Sequence, residues 1–188
     1  TELGAIAAIF HIVNHATSKA PLFMAAGIID HEAGSRDMRK LGGLFRYMPF
    51  TATLAMVAAA AMAGVPLLNG ILSKEMFLAE AVAGVGEHPL AFALPILATV
   101  ASAFSVLYSL RFIHTTFFGP PPTKLDRVPH EPPAWMRRPV EILVLLCLVV
   151  GIFPALTVGP FLRSAAVSVL GFELPYYSLA IWHGFNLP

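Results

Sequence analysis

A lysine and two histidines stand inside a run that otherwise reads as one membrane-spanning helix, and any fold for this chain must accommodate them. Residues 3–29 are overwhelmingly apolar, yet His11, His15 and Lys19 recur there at steps of four. Steps of four keep side chains on one helical face, so the three form a single polar stripe. A charge at mid-bilayer depth costs roughly 2.5–3.5 kcal/mol on insertion scales, so such groups face a protein interior or a water-filled path. Lys74 repeats the anomaly in a second apolar region. Isolated intramembrane lysines beside paired histidines point to a proton or cation pathway.

Composition supports the membrane setting. Of 188 residues, 57% are hydrophobic and 12% charged, whereas a soluble domain carries about 25% charged residues. A formal net charge of +1 gives no footing for nucleic acid. Cys147 is the single cysteine, so an intrachain disulfide, a CxxC motif and a cysteine metal cluster are all excluded. Its apolar surroundings mark it as a small core residue. No signal peptide is visible, and the chain opens at Thr1 within a hydrophobic pattern. An internal piece of a longer polytopic protein is therefore expected.

Crossing a hydrocarbon core takes about 20 helical residues. The expected fold is an all-α integral membrane bundle of four to five transmembrane helices, one of them discontinuous around 66–75. Spans are expected at about 3–29, 49–65, 67–85 (the broken one), 90–118 and 139–158. Pro49 suits a first helical turn, and the alanine-rich run after it suits close helix–helix contact. Pro66, Asn69 and Gly70 interrupt the next run around Ser73, Lys74 and Glu75. Irregular backbone at membrane depth is tolerated only inside protein or beside water, and discontinuous helices often mark transporter sites. An interfacial loop before a short amphipathic helix is the alternative. Pro139 is expected to start the last span. Residues 1–160 are expected to form part of one membrane module, and 161–188 an interfacial helix and a loop leading to a further span. Strand signals are lacking. The polar connections 30–48 and 119–138 hold four Lys/Arg each. If the broken element crosses fully, the positive-inside count is a tie and orientation stays open.

The titratable groups suggest a relay. A histidine near 6.5 exchanges protons at cellular pH unaided, whereas a lysine near 10.4 needs burial or a neighbouring cation to do so. Asn14, Thr17 and Ser18 add groups able to hold bridging water. Two histidines four apart can instead chelate a metal, although this segment offers no carboxylate or thiol beside them. They can also simply donate to carbonyls across helices. At Lys74, carbonyls freed near Asn69–Gly70 can solvate an ammonium; snorkelling to the interface is the competing reading. Glu75 and Ser73 are supporting candidates, with Glu75 directed to a neighbouring helix or a headgroup. Arg111 stays charged, so it either tunes the local potential or anchors to headgroups. Glu80 either lines a water entry or is solvated. His31, His88, His130 and His183 fall in loops and receive no role. No nucleotide-binding loop, nucleophile elbow, zinc motif or haem pattern is present, so neither a cofactor, a metal nor an enzyme activity is expected.

Several strings are familiar together. His11–Ile–Val–Asn–His15–Ala–Thr–Ser–Lys19–Ala, with Leu22–Phe23 and Ala26–Gly27, resembles the proton-conducting helix of the antiporter-like subunits of respiratory complex I and its relatives. Asp37–Met–Arg39–Lys40–Leu–Gly42–Gly43–Leu44, Met48–Pro49, Ala63–Gly64–Val–Pro66–Leu and Gly70–Ile–Leu–Ser73–Lys74–Glu75 continue it in order. The strings Ile28–Ile29–Asp30–His31–Glu32, Ser73–Lys74–Glu75–Met–Phe–Leu and Trp182–His183–Gly184–Phe185–Asn186 look closest to the large A subunits of Mrp/Pha-type multisubunit monovalent cation/proton antiporters. The resemblance implies a proton-translocating subunit of a bacterial inner-membrane antiporter. It would exchange H⁺ for Na⁺ or K⁺ in company with other membrane subunits and the lipid bilayer. It implies that His15 and Lys19 belong to a buried polar axis, with Lys74 the protonatable lysine of a broken helix near its end. The relay would run through His11, His15 and Lys19 toward Lys74. The alternative within the resemblance is a proton-pumping subunit of complex I or of a membrane-bound hydrogenase. Ser18, where relatives commonly have Phe, and Pro21 after the Lys19–Ala20 pair are expected to loosen or bend the helix.

Overall fold

Proline and glycine cut the apolar sequence into helices, and the computed structural model describes them over residues 2–84, 92–122, 125, 127–171, 177 and 179. Glu87, His88, Lys124, Trp182 and His183, with most of the 172–188 loop, lie outside the described residues. The helices are α1 (Glu2–Ala33), α2 (Pro49–Ala63), α3 (Asn69–Ala83), α4 (Ala93–Ile113, prolonged by a π-helical turn, His114–Phe118), α5 (Ala134–Ile152), α6 (Pro154–Thr157) and α7 (Gly159–Leu170). A short 3₁₀ turn, Leu44–Arg46, precedes α2. No strand occurs among the described residues.

α1 is the central element, packing against α2, α3, α5 and α7. Its buried face runs through Phe10, Asn14, Ser18, Leu22 and Ala25. It continues unbroken through Pro21, which is itself buried, as is Ser18. In place of the expected loosening near Lys19 there is a well-packed helix. The facing helix α2 buries Ala52, Ala55, Ala58, Ala59 and Ala61, small side chains that let helix axes approach closely. Phe10, Leu72, Val150 and Leu162 fill the α1–α3–α5–α7 junction. Leu22, Ile28, Ala58, Val140 and Val144 fill the layer beside it.

The interruption between α2 and α3 is shorter than expected and lies earlier. The non-helical backbone spans only residues 64–68; from Asn69 through Ser73, Lys74 and Glu75 the chain is regular helix. Gly64 closes α2 in the left-handed region at φ 90°, donating its N–H to the Ala60 and Ala61 carbonyls. Leu67 is also left-handed, at φ 69°, a conformation that costs of order 1–3 kcal/mol for a non-glycine residue. Gly70 then lets α3 start against α2, because a Cβ there would overlap the Ala61 carbonyl.

The last expected span also shifts. α5 starts at Ala134, so Pro139 lies inside the helix rather than at its start, and the helix stops at Ile152 before Pro154. The 26-residue element Ala93–Phe118, with mean hydropathy 1.8, is the one helix among the described residues long and apolar enough to cross a membrane by length and composition. α5 carries Arg137, Arg138 and Glu141 in its first turns.

The polar connections are pinned to the bundle. α1 runs past the expected span end at residue 29 to Ala33, and after it Arg36 pairs with Asp30 in the last turn of α1 at 2.8 Å and Arg39 with Asp37 at 2.9 Å. The Arg39 hydrogen bonds hold the Asp37 carboxyl down from 3.8 to about 2. That pairing is complete above the usual carboxylate range and is lost only as pH falls through about 2, so it is indifferent to cellular pH. Met48, at the N-cap of α2, makes no side-chain cap bond. Glu131 from the distant loop supplies it, accepting from the Phe50 N–H (3.1 Å), the Thr51 N–H (2.9 Å) and the Thr51 hydroxyl (2.7 Å). Anions are favoured at helix N-termini. Glu131→Ala is expected to remove about 1–2 kcal/mol, read as a lower thermal midpoint of the detergent-solubilised protein. Val128→Ala, at a site 78% exposed, should leave that midpoint unchanged.

Candidate functional site

Lys74 sits where two helix ends meet. Its Nζ donates to the Ala63 carbonyl at 3.0 Å and to Ser105 Oγ of α4 at 3.1 Å. Ser105 in turn donates to the Met62 carbonyl at 3.0 Å. The last carbonyls of a helix have no intrahelical partner and carry the negative end of its dipole, so they suit a cation. Gly64 leaves room for the lysine stem: a Cβ there would lie 3.2 Å from Lys74 Cδ. The solvating carbonyls thus come from the end of α2, not from Asn69–Gly70, which are helical.

A cavity of about 380 Å³ opens beside this seat, lined from four helices. α1 contributes His11, Asn14, His15 and Ser18; α2 contributes Ala61 and Met62; α3 contributes Gly70, Ser73, Lys74 and Phe77. From α4 come Ser102, Ser105 and Tyr108 with small alanines. The structure therefore brings His11, His15, Ser73 and Lys74 to one space. The two histidine rings lie 5.9 Å apart between centroids. Among the described residues there is no group of three His, Cys, Asp or Glu that could hold a metal ion.

Lys19 stands beside this space rather than on its wall. Its Nζ is 5.5 Å from the Tyr108 ring centroid and 5.9 Å from that of Phe23, within reach of cation–π attraction. Tyr108 lines the cavity, so it links Lys19 to the shared space. Burial of the stripe, expected from the sequence, is not what this chain shows. His11 and His15 are exposed and Lys19 and Lys74 half-buried, while the buried polar side chains at this level are Asn14, Ser18, Asn69 and Ser73. The physical reason is helical phase. The packed face of α1 runs through Phe10, Asn14 and Ser18, which puts the four-residue stripe one position off it.

The buried amides tie the site together. Asn14 donates from Nδ2 to the Asn69 carbonyl at 3.0 Å, and Asn69 Nδ2 donates to Asn14 Oδ1 (3.2 Å) and Thr17 Oγ1 (2.8 Å). This cross-link holds α1 to the first turn of α3, close to one helical turn from Lys74. Cys147, buried as expected, donates from Sγ to the Thr17 carbonyl at 3.4 Å. Ser73 folds back onto the Gly70 carbonyl at 3.3 Å.

Other candidates lie elsewhere. Glu75 is exposed on α3 and does not line the cavity, and Arg111 is exposed near the end of α4. Glu80 is half-buried and off the cavity wall. Ser105 and Tyr108 have no assigned role in the sequence because hydroxyls in an apolar helix carry no periodic signal. His31 and His130, also without a role there, converge on the buried carboxylate of Glu32 at 3.0 and 3.1 Å. Arg127 adds a bond to the His31 carbonyl at 3.1 Å. The cluster staples the end of α1 to the distant loop.

With this geometry in place, likeness to known proteins is informative. Residues 1–105 match the family described as NADH:quinone oxidoreductase/Mrp antiporter, TM. The chain belongs to that family. It is 67% identical over 188 residues to a probable K(+)/H(+) antiporter A/B subunit of Rhizobium meliloti (strain 1021), a match covering all of this chain and 19% of the relative. Identity to the A subunit of a Na(+)/H(+) antiporter from Alkalihalophilus pseudofirmus is 42% over 192 residues, covering 96% of this chain and 24% of that one. Among solved structures it resembles a chain of the Mrp complex from Dietzia sp. DQ12-45-1b, with TM-score 0.81 and 34% identity over 99% of this chain and 20% of that chain. This member of the NADH:quinone oxidoreductase/Mrp antiporter family thus spans about a fifth to a quarter of the length of the relatives it matches. The likeness to Mrp A subunits that the strings around Asp30–Glu32, Ser73–Glu75 and Trp182–Asn186 suggest is borne out. The amide cross-link gives a direct test of the site's framework. Asn14→Ala removes both buried bonds between Asn14 and Asn69, a loss of about 1–3 kcal/mol. A lower thermal midpoint is expected in detergent, with Asn14→Gln intermediate.

Proposed function

We propose that this chain is the proton-translocating part of an A-type subunit of a multisubunit Na⁺(K⁺)/H⁺ antiporter. One observation carries the reading: Lys74 is seated on helix-end carbonyls at the wall of a cavity that it shares with His11 and His15. The names of the relatives support antiport over the redox-driven branch of the family. In the proposed setting the chain lies in a bacterial plasma membrane, with four to five helices crossing it beside the complex's other membrane subunits. A chain spanning about a fifth of its relatives leaves further protein to close over the exposed His11 and His15.

The chemistry follows from donor counting. An ammonium has three N–H donors; among the described residues two are used, on Ala63 and Ser105, and the third is left for the cavity. The imidazoles on the same cavity wall can exchange protons with the amine, and a charge on one repels the lysine proton across the shared space. Protons then pass among His11, His15 and Lys74, with Lys19 beside Tyr108 acting on the same space. Ser73, Asn69 and, from its exposed position, Glu75 support the seat. Arg111, near the end of α4, contributes a fixed charge. Movement of Na⁺ or K⁺ in the opposite direction couples to the charge left behind.

Lys74→Ala in the full-length complex is expected to abolish ΔpH-driven cation exchange in vesicles while the subunits still co-purify. Wild-type exchange in that variant refutes the reading. Lys74→Arg keeps a charge that does not titrate and should be equally inactive. Activity in the arginine variant would reduce Lys74 to a fixed electrostatic element.

A further inference from the structure

Ser105 is the α4 hydroxyl that bridges Lys74 to the end of α2, and its geometry differs from that of its helical neighbour. Ser109, one turn along, donates back to the Ser105 carbonyl at 2.7 Å and so is spent within its own helix. Ser105 instead spans three helices, accepting from Lys74 Nζ at 3.1 Å while donating to the Met62 carbonyl at 3.0 Å. Its backbone position on α4 is independent of the turn that shapes the rest of the seat. We propose that Ser105 is a positioning residue for Lys74 whose hydroxyl serves both protonation states of the amine. The proposal rests on the proton-relay reading given above.

Hydrogen-bond inventory decides the role. A charged ammonium offers three donors and accepts nothing; a neutral amine offers two donors and one lone pair. The Ala63 carbonyl can serve only as an acceptor, so it suits the amine's donors in both states but never its lone pair. The Ser105 hydroxyl is both donor and acceptor. With Lys74 charged it accepts from Nζ and gives its proton to the Met62 carbonyl. Once Lys74 has released its proton, rotation about the Cβ–Oγ bond turns the same O–H toward the Nζ lone pair, leaving the amine's second N–H to serve the Met62 carbonyl that the hydroxyl gives up. No heavy atom has to move, and Lys74 stays at the cavity wall whether loaded or empty. Without the hydroxyl, a neutral amine in a partly dry site would be left with an unpaired acceptor.

The two interactions are unequal. Hydrogen bonds to an ionised group are roughly twice as strong as neutral ones. Removing the hydroxyl therefore weakens the charged lysine more than the neutral one, and the relay should operate at more acid pH. The titratable groups that share the cavity with Lys74 are His11 and His15 of α1 and Tyr108 of α4; α2 presents carbonyls there, and no described α5 residue lines it. Since the substitution touches none of these, a displaced pH profile reports on Lys74.

The test measures ΔpH-driven exchange against pH in everted vesicles carrying the full-length complex, with Ser105→Ala, Ser105→Thr, Ser105→Cys and Lys74→Ala. Ser105→Ala should displace the half-maximal pH of exchange toward acid by about one unit, roughly a tenfold change in proton concentration. Ser105→Thr, which keeps the hydroxyl, should return it to the wild-type value. A Ser105→Ala complex with reduced activity but an unmoved pH profile overturns the positioning role, since a purely structural serine lowers activity at every pH alike. If alanine prevents assembly, Ser105→Cys decides, because a thiol of similar size is a weak donor and acceptor. An acid displacement there supports the proposal, and a wild-type profile overturns it. Exchange that survives Lys74→Ala overturns the relay reading itself, so the two failures are told apart.

Discussion

The contact on which the site depends is the close approach of the first turn of α3 to the last turn of α2, a contact made of backbone. Gly70 lies so near the Ala61 carbonyl that a side chain cannot enter, and Gly64 turns the chain in a conformation that costs other residues strain. Together they leave the Met62 and Ala63 carbonyls without intrahelical partners and aimed at the space that Lys74 fills. In a membrane setting those carbonyls have no water to turn to. The lysine and the helix end therefore satisfy each other, and neither requirement is met if the five-residue connection (64–68) is lengthened or straightened.

Around that contact the remaining helices act as a frame. α1 is fixed to the start of α3 by the Asn14–Asn69 amides and to α5 through the Cys147–Thr17 bond. This holds His11 and His15 opposite the seat. At the other end of the bundle, Glu131 caps α2 and Glu32 gathers His31 and His130. The polar connections thus bind the helix ends opposite the site. Alanine on α2 and glycine at the crossing bring the axes together; phenylalanine and leucine fill the junctions farther out.

Much of this is readable from residue order. The polar stripe on α1, the alanine face of α2 and the solvation of Lys74 by freed carbonyls all follow from spacing and from the cost of burying charge. The identity of those carbonyls does not. Asn69–Gly70 looks like the break because both residues disfavour helix interiors, yet packing on α2 overrides that preference and α3 runs regularly from Asn69. Nor is the burial of the stripe legible, because a four-residue period identifies a face without saying which neighbour covers it. Ser105 is invisible for a related reason. A hydroxyl in an apolar helix gains meaning only from the lysine and the carbonyl that meet it from two other helices. The same holds for Glu131 and for the Glu32–His130 pair, whose partners lie far away in sequence.

The kind of partner Lys74 has bears on whether it can carry protons at all. Among the described residues no carboxylate pairs with it; its neighbours are two neutral oxygens. A carboxylate would hold the ammonium more tightly, but a departing proton would then leave an uncompensated anion in a low-dielectric site, a costly state. Carbonyl and hydroxyl dipoles bind the charged form well enough to fill the seat, and they leave no net charge when it empties. The seat is therefore suited to a group that must be charged and neutral in turn, whereas an ion pair is suited to one that stays charged. By the same reasoning the Arg36–Asp30 and Arg39–Asp37 pairs in the polar loop serve as fixed structure. What each cation has been given to face thus separates a seat suited to titration from one suited to a fixed charge.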